Sequence, residues 1–362
     1  MANRLPRGGI CARPACPDGR IFGVKRVVVD AFGGDNAPQA VVEGCVTALS
    51  EIGDLYLILT GDEEKIREEL SKYSYDSARV EIRHAPDIIA NSEHPVQAVR
   101  TKKNSSLVKA LEVVAAKEAD VFVSAGSTGA VLAGATFIVK RIRGVKRPAL
   151  APILPTVQDG RNVLLIDCGA NVDCKPINLQ QFAIMGSAYA EKIMGVKNPR
   201  VGLLNNGAEA EKGCDLTKTV YQLLQQTPVN FTGNCEGRDI LSGDFDVVVA
   251  DGFAGNVALK SIEGTAGMLM SIMKKELMGG FFSRIGALMA KPAFRRLKHR
   301  MDYSEHGGAL LLGIDGGIIK AHGSCSAKAF AATLRQACAF IDGDVVNIIR
   351  QSIQALPLSD EQ

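Results

Sequence analysis

One pattern constrains this chain more than any other: short runs of valine, isoleucine and leucine, each followed by a glycine-bearing loop and then a helical stretch. The runs fall at residues 27–29, 55–59, 80–82, 121–123, 163–166, 201–204, 229–231, 247–249 and 318–319. Several do not alternate apolar with polar residues, as a strand with one wet face would. Continuous apolar runs mark parallel strands covered by helices on both faces. The fold class expected is therefore α/β, three layers deep, with a mostly parallel sheet. A length of 362 residues admits one doubly wound unit or two lobes around a cleft, and residues 146–155 are the best candidate for a crossover between lobes. Residues 1–24, rich in arginine, proline and glycine, read as a flexible leader; residues 25–345 form the body, and 346–362 a C-terminal tail.

Composition narrows the function classes. With 46% hydrophobic and 22% charged residues the chain is globular, and a formal net charge of +3 lacks the basic excess of a nucleic-acid coat. No nucleic-acid partner is expected. The uncharged stretch 121–139 approaches the ~20 residues of a membrane span. Its centre, Ser124-Ala125-Gly126-Ser127-Thr128-Gly129, is polar and glycine-rich, so strand, loop and helix are expected there. Nine scattered cysteines without metal-ligand spacing favour a reducing cytoplasm and small buried thiols over disulfides or zinc. No metal site is expected.

In an open α/β sheet, ligands sit at the carboxyl ends of the strands. Five loops there attract notice, and the first runs Asp30-Ala31-Phe32-Gly33-Gly34-Asp35-Asn36-Ala37-Pro38. The second, 124–129, has small residues that free backbone N–H groups to bind phosphate or another oxyanion, with Ser124, Gly126, Ser127, Thr128 and Gly129 as candidates. The third, 167–173, carries Asn171; the fourth, 205–213, carries Lys212; the fifth, 251–257, carries Asn256. Each has a plainer alternative: glycines that only turn the chain, a solvated Lys212, an Asn256 that caps the next helix. Ala321-His322-Gly323-Ser324 adds a histidine suited to binding an anion, shuttling a proton or simply packing. No nucleotide fingerprint, nucleophile elbow or H-E-x-x-H motif occurs, which favours chemistry without a covalent enzyme intermediate.

Taken together, the loops resemble the bacterial phosphate acyltransferase family of phospholipid synthesis (PlsX-type acyl-[acyl-carrier-protein]:phosphate acyltransferases). The resemblance runs from about residue 25 to 340. It includes the 29–38 and 124–130 loops, Lys102-Lys103-Asn104-Ser105-Ser106, Arg147-Pro148-Ala149-Leu150, Gly169-Ala170-Asn171-Val172-Asp173, Asp251-Gly252-Phe253-Ala254-Gly255-Asn256-Val257 and Lys320-Ala321-His322-Gly323-Ser324. It implies a phosphotransacetylase-like or isopropylmalate-dehydrogenase-like fold, a homodimer, and no ATP, metal or redox cofactor. It implies also that phosphate attacks the thioester of a long-chain acyl carrier protein, giving acyl phosphate for a membrane glycerol-3-phosphate acyltransferase. By the same resemblance Lys212 and Asn256 are catalytic. Asp30, Gly33, Gly34, Asp35, the 124–129 residues, Asn171, His322, Gly323 and Ser324 are expected to form the substrate and phosphate site.

Past Gly264, Met268, Leu269, Ile272 and Met273 recur at helical spacing, Gly279-Gly280 breaks it, and Phe281, Phe282, Ile285, Leu288 and Met289 resume it. A helical hairpin over 264–303 is expected. Arg284, Lys291, Arg295, Arg296, Lys298 and Arg300 follow with no acidic residue between 281 and 300. The patch suits a dimer partner, anionic lipid at the inner face of the cell membrane, or acidic carrier protein. Two other functions stay open at this point. A dehydrogenase of similar fold would need a nucleotide fingerprint and a metal-binding set of aspartates, neither of which is found, and a non-catalytic membrane scaffold would not need the anion loops.

Overall fold

The structure is a computed structural model that describes residues 23–301 and 307–356; side chains of residues 298–301 lie outside that description, as do residues 1–22 of the leader. The chain runs β1 (Lys25–Asp30), α1 (Gln39–Glu51), β2 (Leu55–Gly61), α2 (Glu63–Leu70), β3 (Val80–His84), α3 (Pro95–Thr101) and α4 (Ser106–Ala115). Next come β4 (Val121–Ser124), α5 (Thr128–Gly134), β5 (Ala149–Ala151), β6 (Ile153–Pro155), β7 (Asn162–Ile166), α6 (Pro176–Lys192) and β8 (Arg200–Asn205). The remainder is α7 (Asp215–Gln225), β9 (Asn230–Glu236), β10 (Val247–Val249), α8 (Gly252–Met278), α9 (Phe281–Met301), β11 (Ala309–Leu312), β12 (Gly317–Lys320), α10 (Ala327–Asp342) and α11 (Val345–Gln354).

Two sheets result. The first has seven strands in the order β3-β2-β1-β4-β12-β11-β5, and the second has five in the order β6-β7-β10-β8-β9. Most pairings are parallel; the exceptions are β11 with β12 and β5, and β6 with β7, at one side of each sheet. Both faces are covered, which explains the continuous apolar runs. Val27 and Val29 pack into one cluster with α1 and α10, while Val28 faces α4 and α5 on the other side. In the second sheet Leu164 and Ile166 face α6, while Leu165 and Val248 face Leu259 of α8. One continuous core joins both sheets through α6, α10 and α11.

The crossover falls within the expected residues: β5 ends the first sheet and β6, after Pro152 alone, begins the second. The uncharged stretch 121–139 is β4, a loop, α5 and one wide helical turn at Ala135–Val139. Among the described residues no helix is long and apolar enough to cross a membrane. The segment expected as a C-terminal tail contains nearly all of α11. Val345, Ile349 and Ile353, four residues apart, bury one stripe of that helix, and α11 packs on α6.

Candidate active site

Between the carboxyl edges of the two sheets lies a cavity of about 310 Å³. The first sheet contributes Thr128, Lys320, Ala321, His322 and Gly323; the second contributes Cys168, Gly169 and, from α8, Asn256, Lys260 and Glu263. A larger cavity of about 900 Å³ opens where β7, β8 and β9 begin, lined by Asn162, Arg200 and Asn230. That is the amino edge, away from every loop singled out by sequence. Chemistry in such sheets belongs at the carboxyl edge, so the smaller cavity is the candidate site.

Beneath it lies a buried polar cluster. The Ser124 hydroxyl donates to Asp30 Oδ2 at 2.8 Å and accepts from the Gly126 N–H at 2.9 Å. Phe32 N–H donates to Asp30 Oδ1 at 3.3 Å. Burial pushes the Asp30 carboxyl above its usual range, while hydrogen bonds from Ser106, Ser124 and Phe32 and the charge of Lys320 pull the other way. Asp30, Ser124 and Gly126 thus brace the two loops from below rather than face the cavity. The contact explains the paired glycines. A Cβ on Gly33 would meet Ser124 Oγ at 2.6 Å and Gly126 N at 2.7 Å; one on Gly34, at φ +103°, would meet Ala125 Cβ at 2.8 Å and Gly323 O at 2.9 Å. Three loops can therefore touch backbone to backbone.

Lys320 is the residue that sequence reasoning passed over. Strand register places it beside Ser124 at the end of β12. It is 8% exposed, it lines the cavity, and its ammonium donates to Ala125 O at 3.2 Å and to Ala321 O. Burial pushes its pKa down to about 8, against the charges of Cys325, Asp30 and Asp35, which raise it. The signal was present: a single cation closes the apolar run Gly317-Ile318-Ile319-Lys320.

Asn256 is no cap. Asp251 caps α8, accepting from Phe253 and Ala254 N–H at 3.0 and 2.9 Å, and Asn256 sits five residues in. The first turns of α8 pack straight onto loop 167–171. A Cβ on Gly252 would stand 2.4 Å from Asn171 O, and one on Gly255 1.9 Å from Asp167 O. This close approach lays the Asn256 amide against Gly169, where a Cβ would stand 3.6 Å from both Cγ and Oδ1 of Asn256. Lys260 and Glu263 follow at helical spacing and pair at 2.7 Å. Spacing of four and seven residues from Asn256 was the signal that would have found them.

Other expected residues take different places. Asn171 is a buried brace whose amide donates to Pro148 O at 2.7 Å and to Asp167 Oδ2 at 2.8 Å. Asp167, raised by burial, also accepts from Leu150, Ala170 and Asn171 N–H groups. Ser127 caps α5, and Gly129 leaves room for Pro95. Ser324 N–H donates to His322 Nδ1 at 3.3 Å, and the Ser324 hydroxyl lies 3.1 Å from the same nitrogen. Asp35 is exposed, and its N–H donates to Gly323 O at 2.8 Å. Lys212 is exposed on loop 205–213, at the same sheet edge as Asn256 but not among the residues lining the cavity; its carbonyl accepts from Asn205 Nδ2 at 3.1 Å. Residues 264–301 of the segment expected as a hairpin fall in α8 and α9, with Gly279 and Gly280 between them; α8 begins earlier, at Gly252, and residues 302 and 303 lie outside the described residues. Phe281 and Phe282 are 74% and 86% exposed, and Arg284, Lys291, Arg295 and Arg296 are exposed or nearly so; the Lys298 side chain lies outside the described residues.

Comparison with known proteins assigns the family. The family model described as a fatty acid synthesis protein matches residues 25–348. The chain is 50% identical over 331 residues to the phosphate acyltransferase of Clostridium novyi, covering 91% of this chain and 98% of that protein. It is 49% identical over 324 residues to the phosphate acyltransferase of Bacillus cereus, covering 90% and 97%. Among solved structures it resembles a phosphotransacetylase from Staphylococcus aureus (TM-score 0.53, 18% identity, 92% and 94% covered) and one from Streptococcus pyogenes (0.55, 16%, 92% and 95%). The latter two share its fold. The chain belongs to the phosphate acyltransferase family and is an acyltransferase.

Proposed function

We propose that this enzyme moves a long-chain acyl group from an acyl carrier protein thioester to inorganic phosphate, giving acyl phosphate for phosphatidic acid synthesis. The observation that supports this reading most is the meeting, in one cavity, of a lysine, an anion-suited loop pair and an asparagine amide. Hydrogenphosphate seats against N–H groups of the 124–129 and 321–324 loops, its charge met by the Lys320 ammonium. A phosphate oxygen attacks the thioester carbonyl, and the Asn256 amide donates to the oxyanion that forms, an interaction worth roughly 3 kcal/mol. The C–S bond then breaks. The departing thiolate takes the proton that hydrogenphosphate brought, so the transfer balances without an external acid; a thiol of pKa about 8.5 leaves readily. Lys212 supplies a second positive charge from the neighbouring loop.

The hairpin delivers the product. Its exposed phenylalanines, Met289 and the cations of α9 form an apolar, basic surface of the kind that rests on anionic lipid, which would hold the enzyme at the inner face of the cell membrane. The reaction is tested by incubating the enzyme with long-chain acyl carrier protein and phosphate, without ATP, and following release of the carrier thiol together with acyl phosphate by mass spectrometry. Thiol release that depends on phosphate, with one acyl phosphate formed per thiol, is expected; thioester loss that requires ATP or a nicotinamide cofactor would overturn the reading.

A further inference from the structure

A second recess lies beside the cleft, and no step above uses it. It encloses about 460 Å³, with Arg141, Lys146 and Arg147 on its wall and Leu132, Pro148 and Ala170 as apolar lining. The cations belong to Lys140-Arg141-Ile142-Arg143-Gly144-Val145-Lys146-Arg147, which holds five basic residues and no acid. Ile142 and Val145 are buried and pin the segment, while all five basic side chains are exposed. The backbone is fastened further: Ile142 N–H donates to Gly313 O at 2.9 Å, Lys146 N–H to Gln181 Oε1 at 2.8 Å, and the Arg141 guanidinium to Lys146 O. The neighbouring carboxylate, Asp315, is engaged by Lys117 at 3.1 Å and Arg350 at 2.5 Å. The segment therefore holds Arg141 and Arg147 at the recess on a pinned backbone.

The recess and the cleft are separated by a seam of only about 10 Å³ that borders both. Leu132 and Ala170 also line this seam, whose other walls include Thr128, Leu150, Gly169 and Lys320, and those four line the cleft itself. Arg147 lies three residues before Leu150, so their Cα atoms are within about 11 Å. We propose that this recess seats the phosphodiester at the base of the donor's thiol-bearing arm, with Arg141 and Arg147 as the groups that recognise it. The inference rests on the thioester-donor reading above. Carrier proteins present their acyl group on a pantetheine arm attached through a phosphodiester, roughly 15 Å long when extended. Guanidinium forks match phosphate oxygens better than ammonium groups do. With the phosphodiester at Arg147, the arm lies along Leu132 and Ala170 and its thioester arrives beside Lys320 and Asn256. The acidic surface of the carrier then faces Lys140 and Arg143.

Three donors separate the contributions: acyl-pantetheine, which has no phosphate, acyl-4′-phosphopantetheine, and the intact acyl carrier protein. Arg147→Gln is expected to raise KM at least tenfold, about the loss of one charge-assisted hydrogen bond, for the two phosphorylated donors. KM for inorganic phosphate, use of acyl-pantetheine and the thermal midpoint should not change, and Arg147→Lys should recover part of the loss. Arg141→Gln is expected to show the same donor selectivity, with a lower thermal midpoint because it also removes a brace on Lys146 O. An equal loss with acyl-pantetheine, no loss with any donor, or a loss confined to the intact carrier would each overturn the proposal. Wild-type enzyme inert toward all three donors would remove the thioester reading itself, and this inference with it.

Discussion

Lys320→Met separates the work of a buried charge from its cost. Met keeps most of the side-chain volume but removes the ammonium. The pKa of Lys320 falls from its ordinary 10.5 to about 8 in the folded protein, chiefly through burial. That interval corresponds to roughly 3 kcal/mol of penalty for holding the charged form in place. Removing the side chain's bonds to Ala125 O and Ala321 O costs about 1 kcal/mol each, so at pH 7 the variant should be as stable as wild type or slightly more so. The pH dependence carries the signature. Above about 10.5 both folded and unfolded lysine are neutral and wild type bears no penalty; as pH falls, the unfolded chain takes up the proton first, and the full penalty is present below about 8. The stability of wild type relative to Lys320→Met should therefore rise by roughly 3 kcal/mol between pH 7 and 11, measured by urea unfolding of both proteins. Turnover should fall about 10²- to 10³-fold. A variant with near-wild-type turnover, or a stability difference that does not change with pH, would refute the reasoning.

Other substitutions probe the remaining parts. Asn256→Ala, at an exposed position on α8, should lower kcat about 10²- to 10³-fold while leaving the unfolding midpoint unchanged. Lys212→Ala should reduce turnover with unchanged stability; activity close to wild type would remove Lys212 from the mechanism. Gly33→Ala forces a methyl to within 2.6 Å of Ser124 Oγ and 2.7 Å of Asp30 Oδ2, and should lower stability by about 1–3 kcal/mol in urea unfolding. Replacing Phe281 and Phe282 together by Asp should abolish sedimentation with anionic vesicles without altering turnover in solution, and binding that persists would clear the hairpin of this role.

The parallel body was legible because its strands are covered twice: residues such as Val27, Val28 and Val29 are all fully buried, so the run carries no alternation to misread. Strands β5, β6 and β11 were not, since three or four residues at an antiparallel margin leave no period, and β6 ends in proline. At the site, loops were legible but orientations were not. Glycines at 33, 34, 252 and 255 announce close approach, yet only the fold shows that Asn171 turns inward to Pro148 O and Asp167 while Asn256 turns into the cleft. Lys320 escaped because its neighbours, Ser124 and Asp30, come from β4 and β1, and strand register alone brings them together.

The central claim is direct attack by phosphate, with no acyl group resting on the protein. Rapid mixing of enzyme with long-chain acyl carrier protein in the absence of phosphate, while following thiol release, tests it most directly. No burst is expected, and steady release should begin once phosphate is added. A burst of thiol equal to the enzyme concentration before any phosphate is present would show an acylated side chain and contradict direct attack.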